Sequence, residues 1–315
     1  MDKTRINHQN QSYNIGKGQA LVNLVTGRLL FEYPLLSIGS NNFQISTVLS
    51  YSSQYLPSDF GGKKIGLGNG WKLNFHQYLI PYNASYNIEG FESGDYIYID
   101  SNWCIHRFKL YTTGKYYDTS GTGLRLTISG TSKIIKDQSN NLYEFNGSGN
   151  LISYTSGINH NIKKVLTYNG DKLVSIHDTR KSGRKIEFIY DTNGMLVETK
   201  NTLNNLGFNF IYKDNKLERI IKTSLNNIQY EFELDYCDDG RLQNTVNVGD
   251  LTGIRIIYGQ GGFDEKVRVV ESGLVNKQVL SEIVSSENYL IGDSSEDTVS
   301  FEKDNNNYFL TKEGK

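Results

Sequence analysis

The sequence predicts an all-β protein in which repeated antiparallel hairpins join into a curved or spiralling sheet. Three observations carry this. An aromatic residue precedes a polar turn at Phe145, Tyr168, Tyr190, Tyr212 and Tyr236, in steps of 23, 22, 22 and 24. A leucine follows each turn, at Leu151, Leu173, Leu196, Leu217 and Leu242, in steps of 22, 23, 21 and 25. Two residue types keeping one period mark a repeat architecture. The segments between turns alternate: Ile186, Phe188 and Tyr190 share one face of a strand, as do Phe208, Phe210 and Tyr212. That is period two with one buried side. Composition agrees. The 31 glycines supply turns, and the 3 prolines leave almost every backbone N–H free to pair.

Taken in order, residues 1–19 are polar and read as a flexible lead. Residues 20–142 form an N-terminal β region. In it Trp71, Leu73 and Phe75 are expected inward, with Lys72, Asn74 and His76 outward; Tyr96 to Ile99 is apolar on both faces and expected to be covered on both. Residues 143–260 hold the hairpin repeats. Their stacked edges are expected to bury a continuous aromatic seam, since a lone hairpin is marginal in water. Residues 261–315 read as degenerate repeats with an early end. Val275 to Ile283 has helix-like spacing, and Phe301 to Leu310 resembles one more hairpin copy.

The chain's chemistry is sparse. Net charge is −1 with no basic block, which excludes nucleic acid as the expected partner. The small basic knot Arg180 to Arg184 suits a solvated hairpin turn. Cys104 and Cys237 make no disulfide framework and read as lone thiols. No apolar run approaches the roughly 20 residues of a membrane helix, and no apolar signal segment precedes Gln19. His8, His76, His106, His160 and His177 fall in no zinc-binding spacing. Gly66-Leu67-Gly68-Asn69-Gly70 fails the dinucleotide spacing and runs into a strand rather than a helix. Neither a catalytic group, a metal nor a cofactor is expected. Trp71 and Trp103 are the candidate ligand face for sugar rings.

Tyr190-Asp191-Thr192-Asn193-Gly194-Met195-Leu196 fits the phrase Tyr-Asp-x-x-Gly-x-Leu in full and resembles the YD repeats of the Rhs family. That family includes bacterial Rhs toxins, the C component of insecticidal toxin complexes and animal teneurins. The other copies depart from the phrase. Lys213 follows Tyr212, Cys237 follows Tyr236, and the Tyr168 copy is one residue short. Val22 to Leu29, Tyr33 to Ser37, Leu49 to Ser53 and Gly66 to Leu73 resemble phrases that open Rhs shells, and Asp100, His106 and Phe108 resemble a further family phrase. The resemblance implies a β-ribbon spiralling into a hollow shell. The expected function is therefore a non-catalytic structural module that encloses or presents a toxin or partner. Its expected partners are a protein, a toxin cargo or further shell sequence. The expected location is outside the cell or at its surface, reached without a cleaved signal from the cytoplasm. The alternatives are an extracellular carbohydrate or cell-surface binding module and an uncharacterised hydrolase.

Overall fold

The computed structural model describes residues 10–15, 17–23, 27–39, 44–54, 62–86, 88, 90–224, 227–248, 252–259, 266–274, 289–293, 298–304 and 307–313. Two sheets account for nearly all of them. The first runs in chain order through β1 (Asn10–Ile15), β2 (Gly18–Asn23), β3 (Leu29–Ile38), β4 (Ile45–Ser52) and β5 (Trp71–Leu73), all antiparallel. The reading of residues 1–19 as a flexible lead is corrected for residues 10–15 and 17–19; the rest of that segment lies outside the described residues. Residues 10–15 pair residue for residue with 18–23, and the Tyr13 ring is buried in the core.

The second sheet is a ribbon. It begins with β6 (Tyr78–Pro81), β7 (Tyr96–Ile99), β8 (Ile105–Thr112), β9 (Lys115–Asp118), β10 (Arg125–Ser129) and β11 (Ser132–Lys136). The repeats follow as β12 (Leu142–Phe145), β13 (Leu151–Thr155), β14 (Lys163–Asn169), β15 (Lys172–Asp178), β16 (Lys181–Tyr190), β17 (Leu196–Asn201), β18 (Leu206–Lys213), β19 (Lys216–Ser224), β20 (Asn227–Tyr236), β21 (Leu242–Asn247), β22 (Thr252–Tyr258) and β23 (Val267–Leu274). Each strand pairs antiparallel with its neighbours in sequence. The ribbon curls early. Leu79 N–H donates to the Gly149 carbonyl at 2.9 Å and Leu151 N–H to that of Gln77 at 3.2 Å, so β6 returns against the β12–β13 hairpin. Further on, β24 (Tyr289–Asp293) lies parallel to β23, and β25 (Thr298–Asp304) pairs with β26 (Asn307–Glu313), setting Phe301 opposite Leu310. The helix-like window at 275–283 lies outside the described residues.

The core lies between the two sheets. Phe31 stacks on Phe232 with centroids 5.7 Å apart, and Tyr33 meets Phe232 at 5.0 Å and Phe208 at 6.3 Å. Each such ring removes roughly 150–250 Å² from water. At about 25 cal/mol per Å² that is about 4–6 kcal/mol gross, an upper bound before ordering entropy. Ile97, Tyr98 and Ile99 are buried on both faces, with Tyr98 edge-on to Phe145 at 5.8 Å. The outward reading of Lys72 and His76 is corrected: both are fully buried. All three residues of the short strand β5 are buried, so it has no wet face.

Candidate functional site: a tyrosine ladder and the strap across it

Each position of the repeated phrase has its own task. The leucine is core: Leu151, Leu173, Leu196, Leu217 and Leu242 are all at most 1% exposed. The expected aromatic seam is thus an aliphatic one. Phe145 is buried, but Tyr168, Tyr190, Tyr212 and Tyr236 are half-buried at its margin. The tyrosine serves through its hydroxyl, which donates to the carbonyl of the preceding repeat's leucine. Tyr190 reaches Leu173 at 3.0 Å, Tyr212 reaches Leu196 at 2.8 Å, Tyr236 reaches Leu217 at 2.7 Å and Tyr258 reaches Leu242 at 2.8 Å. A register shift at each tyrosine sets it opposite its own repeat's leucine, as in Tyr190–Leu196 and Tyr236–Leu242, and sets Tyr258 opposite Val267. Such bulges bend a strand and add twist, so every rung also turns the ribbon. Burial raises the phenol of each bonded tyrosine far above its ordinary value, which keeps it a donor.

The ladder begins irregularly. Phe145 has no hydroxyl. The Tyr168 hydroxyl, on the hairpin after the one β6 returns against, is buried without a partner among the described residues. Before Leu173, Leu217 and Leu242 stands a cation that covers the next tyrosine. Lys172 Nζ lies 5.5 Å from the Tyr190 ring, Lys216 Nζ 5.6 Å from that of Tyr236, and the Arg241 guanidinium 4.2 Å from that of Tyr258.

The turns alternate between two kinds. In the long form an Asx side chain caps the backbone four residues on: Asp191 accepts from Met195 N–H at 2.8 Å, and Asn146 from Asn150 N–H at 2.9 Å. A left-handed glycine follows, Gly194 with φ 83° or Gly149 with φ 81°. The short form is a tight two-residue hairpin turn, with Asp214 (52°) and Asn215 (60°) both at positive φ in the Tyr212 copy and Gly170 (62°) alone in the Tyr168 copy. This explains why the Tyr168 and Tyr212 copies depart from the phrase. The true unit is a double hairpin. Phe145 to Tyr190 is 45 residues, Tyr190 to Tyr236 is 46 and Tyr168 to Tyr212 is 44.

An N-terminal strap, Lys63 to Lys72, crosses these turns in order. Lys63 Nζ donates to the Ser148 carbonyl (2.7 Å), Asn150 Oδ1 (2.9 Å) and Asp171 Oδ1 (3.0 Å), joining the first two hairpins. Leu196 N–H donates to the Gly66 carbonyl at 2.7 Å. Trp71 Nε1–H donates to the Tyr236 hydroxyl at 2.9 Å, and Leu242 N–H to the Tyr51 hydroxyl at 3.0 Å. The glycines of Gly66-Leu67-Gly68 are required by closeness. A Cβ at Gly66 would lie 2.1 Å from the Gly194 carbonyl oxygen, and one at Gly68 2.8 Å from that of Asn215. Leu67, between them, is fully buried. The leucine N–H groups held from the N-terminal side, Leu151, Leu196 and Leu242, all follow long turns.

A buried polar corner fixes the strap's end. Lys72 Nζ donates to the carbonyls of Asp100 (2.8 Å) and Ser101 (2.9 Å) and lies 5.1 Å from the Trp103 ring. Burial pulls the Lys72 ammonium down to about 7, against the opposing charges of Asp100, Cys104 and Glu32. Asp100 meets His106 Nε2 at 3.1 Å and caps the N–H groups of Asn102 and Cys104. Burial pushes the Asp100 carboxyl up, but the His106 bond and the His106 and Lys72 charges outweigh it and hold it below its ordinary value. His76 is fully enclosed; burial, aided by Lys72, lowers it to about 3.

Trp71 and Trp103 do not form a ligand face. They are 0% and 1% exposed, and the Trp103 indole donates to Ser50 Oγ at 3.1 Å. Both rings are wedges between the sheets. Neither Cys104 nor Cys237 is in a disulfide, and Arg180 is paired with Asp178 at its turn. Among the described residues, no group of three or more His, Cys, Asp or Glu is placed to hold a metal, and no helix is long and apolar enough to cross a membrane. An open depression of about 600 Å³ over β14–β16 includes His177, Lys185 and Glu187, where Lys185 Nζ already meets Glu187 at 2.9 Å. Lys63, Tyr51 and Lys72 were not singled out from the sequence as site residues. The signal that pointed to them was the glycine phrase, whose spacing fits a strap crossing turn backbones.

No family model matches the chain, and no curated protein matches it. Solved structures similar to it include the following two. The crystal structure of TcdB2-TccC3 aligns with a TM-score of 0.41 at 9% identity, over 100% of this chain and 21% of that one. The structure of TcdB2-TccC3 without its hypervariable C-terminal region gives 0.37 at 9% identity, over 98% of this chain and 19% of that one. The chain spans about a fifth of the length of either.

Proposed function

We propose that the chain is a segment of a YD-repeat shell and acts as a non-catalytic wall that encloses or presents a protein partner, such as a toxin. The observation that carries this reading is the ladder. Four successive hydroxyl-to-carbonyl rungs recur at the hairpin period, each with a bulge that bends the ribbon. That is a device for extending a curved wall by repetition. The polar groups with shifted proton affinities support the same reading. Lys72 and Asp100 join the strap to the ribbon's Asp100–His106 corner, and His76 is fully buried in the turn after β5. Such a wall works outside the producing cell or at its surface.

The test is co-expression with the product of the adjacent reading frame, followed by limited proteolysis. The reading expects the two to co-purify, with the neighbour digested far more slowly than when alone. Separate purification together with unprotected digestion would count against it.

A further inference from the structure

At its first residue the strap brings together an amine, a side-chain amide and a carboxylate. Lys63 Nζ donates to Asn150 Oδ1 at 2.9 Å and to Asp171 Oδ1 at 3.0 Å. Asn150 Nδ2 donates to that same carboxylate oxygen at 3.2 Å. Each of the three groups therefore touches the other two. The pair at the centre is enclosed: the Lys63 side chain is 5% exposed and Asn150 is 0% exposed. The Tyr78 ring lies 5.6 Å from Lys63 Nζ, and Tyr78 bridges to Asn150 through the backbone.

The surroundings hold all three in place. The third N–H of the ammonium goes to the Ser148 carbonyl at 2.7 Å. Asn150 N–H donates to Asn146 Oδ1 at 2.9 Å, and the Lys64 N–H donates to the Asp171 carboxylate. An ion pair alone needs no amide enclosed between its partners. Lys72, also fully buried, shows the other arrangement: it ends on the backbone carbonyls of Asp100 and Ser101.

We infer that Lys63 and Asn150 join in an intramolecular isopeptide bond, with Asp171 as the proton carrier. Asp171 takes one proton from the Lys63 ammonium, which frees the lone pair of a nucleophilic amine. That pair attacks Cγ of Asn150, and the Cγ–Nδ2 bond breaks. Asp171 passes its proton to the departing nitrogen and receives the second proton that Nζ sheds. The new Nζ–Cγ amide remains, and ammonia leaves with that second proton as ammonium. Asp171 ends as the carboxylate it began as, and no oxidant or co-reactant is consumed. Contact within one fold gives amine and amide an effective concentration on the order of 10⁵–10⁸ M, and enclosure keeps water from competing for Cγ. The step occurs once per chain. It welds the strap to the first long turn across 87 positions and does not rest on the shell reading.

The test is the intact mass of the purified full chain, denatured after incubation at neutral pH. The mass is expected to fall short of the sequence by one ammonia. Tryptic digestion is expected to give a branched peptide that joins the Lys63 and Asn150 segments. Lys63→Arg, Asn150→Ala and Asp171→Ala are each expected to restore the full mass of the variant and abolish the branched peptide. Cyclisation at an Asn-Gly pair such as Asn146-Gly147 also sheds ammonia, but it leaves no branch and survives Lys63→Arg. The wild-type chain carries the decisive reading, so a variant that misfolds does not obscure it. Full sequence mass with no branched peptide in the folded wild-type chain overturns the proposal and leaves an ion pair only. Ammonia loss that persists in Lys63→Arg overturns it too, and a branch that forms equally in Asp171→Ala overturns the part given to Asp171.

Discussion

Lys72 is fully enclosed, and its ammonium ends on two carbonyl oxygens and over an indole. Its folded value near 7 lies below the 10.5 of an exposed lysine. Between those values the unfolded chain binds more protons, so stability rises with pH across that window. His76, lowered from 6.5 to about 3, makes stability fall as pH drops through its own window. The tyrosines act oppositely. Tyr51 is pushed up from 10.0 to about 12, chiefly by burial, so its contribution is whole below 10 and is lost as pH rises beyond. Urea midpoints should therefore climb from pH 7 toward 10 and then decline. Lys72→Met should flatten the climb; an unchanged slope would show that Lys72 does not carry it. Strict alternation put Lys72 and His76 in water because it assumes one wet face; β5 has none, and His76 lies in the buried turn after it, accepting from Leu73 N–H. The same oversight made Trp71 and Trp103 look like a sugar platform. A tryptophan's type gives its contact area, and only tertiary packing decides whether that area meets water.

At the scale of elements, the strap and the turns are matched backbone to backbone. Gly66→Ala puts a methyl against the Gly194 carbonyl and forces a side chain onto φ 72°. We expect a loss of about 3 kcal/mol or more. Gly170→Ala, at a turn with φ 62° and open space around it, should cost only about 1 kcal/mol. Asp191→Ala removes the cap on Met195 N–H and should cost about 1 kcal/mol. Chemical denaturation of the three variants checks this ranking, and equal losses at Gly66 and Gly170 would argue that the strap does not touch the turns. The hairpins themselves were legible. Alternation and Asn, Asp and Gly turns are local properties, and the strands lie where they placed them. The alternation of long and short turns was visible only as irregular steps, because its meaning depends on φ values. The first strand, β1, was missed because its residues are mostly polar and gain their order by pairing with β2.

Over the whole molecule, the two sheets share one core, through Phe31, Tyr33, Phe208 and Phe232. They should unfold together. Far-ultraviolet circular dichroism is expected to show strand and almost no helix. Its thermal transition should coincide with that of the near-ultraviolet aromatic signal; two separated transitions would mean that the sheets are independent. The period in the sequence disclosed the ribbon but not the layer that covers it, since contacts such as Tyr51 to Leu242 span 191 positions. No local pattern records them.

The ladder is the claim on which the rest stands, and a tyrosine-to-phenylalanine series tests it most directly. Equilibrium unfolding should show that Tyr190→Phe, Tyr212→Phe and Tyr236→Phe each cost about 1 kcal/mol or more, one rung apiece. Tyr168→Phe, which removes a hydroxyl with no partner among the described residues, should be neutral or stabilising. A uniform loss at all four positions, or no loss at any, would contradict the ladder.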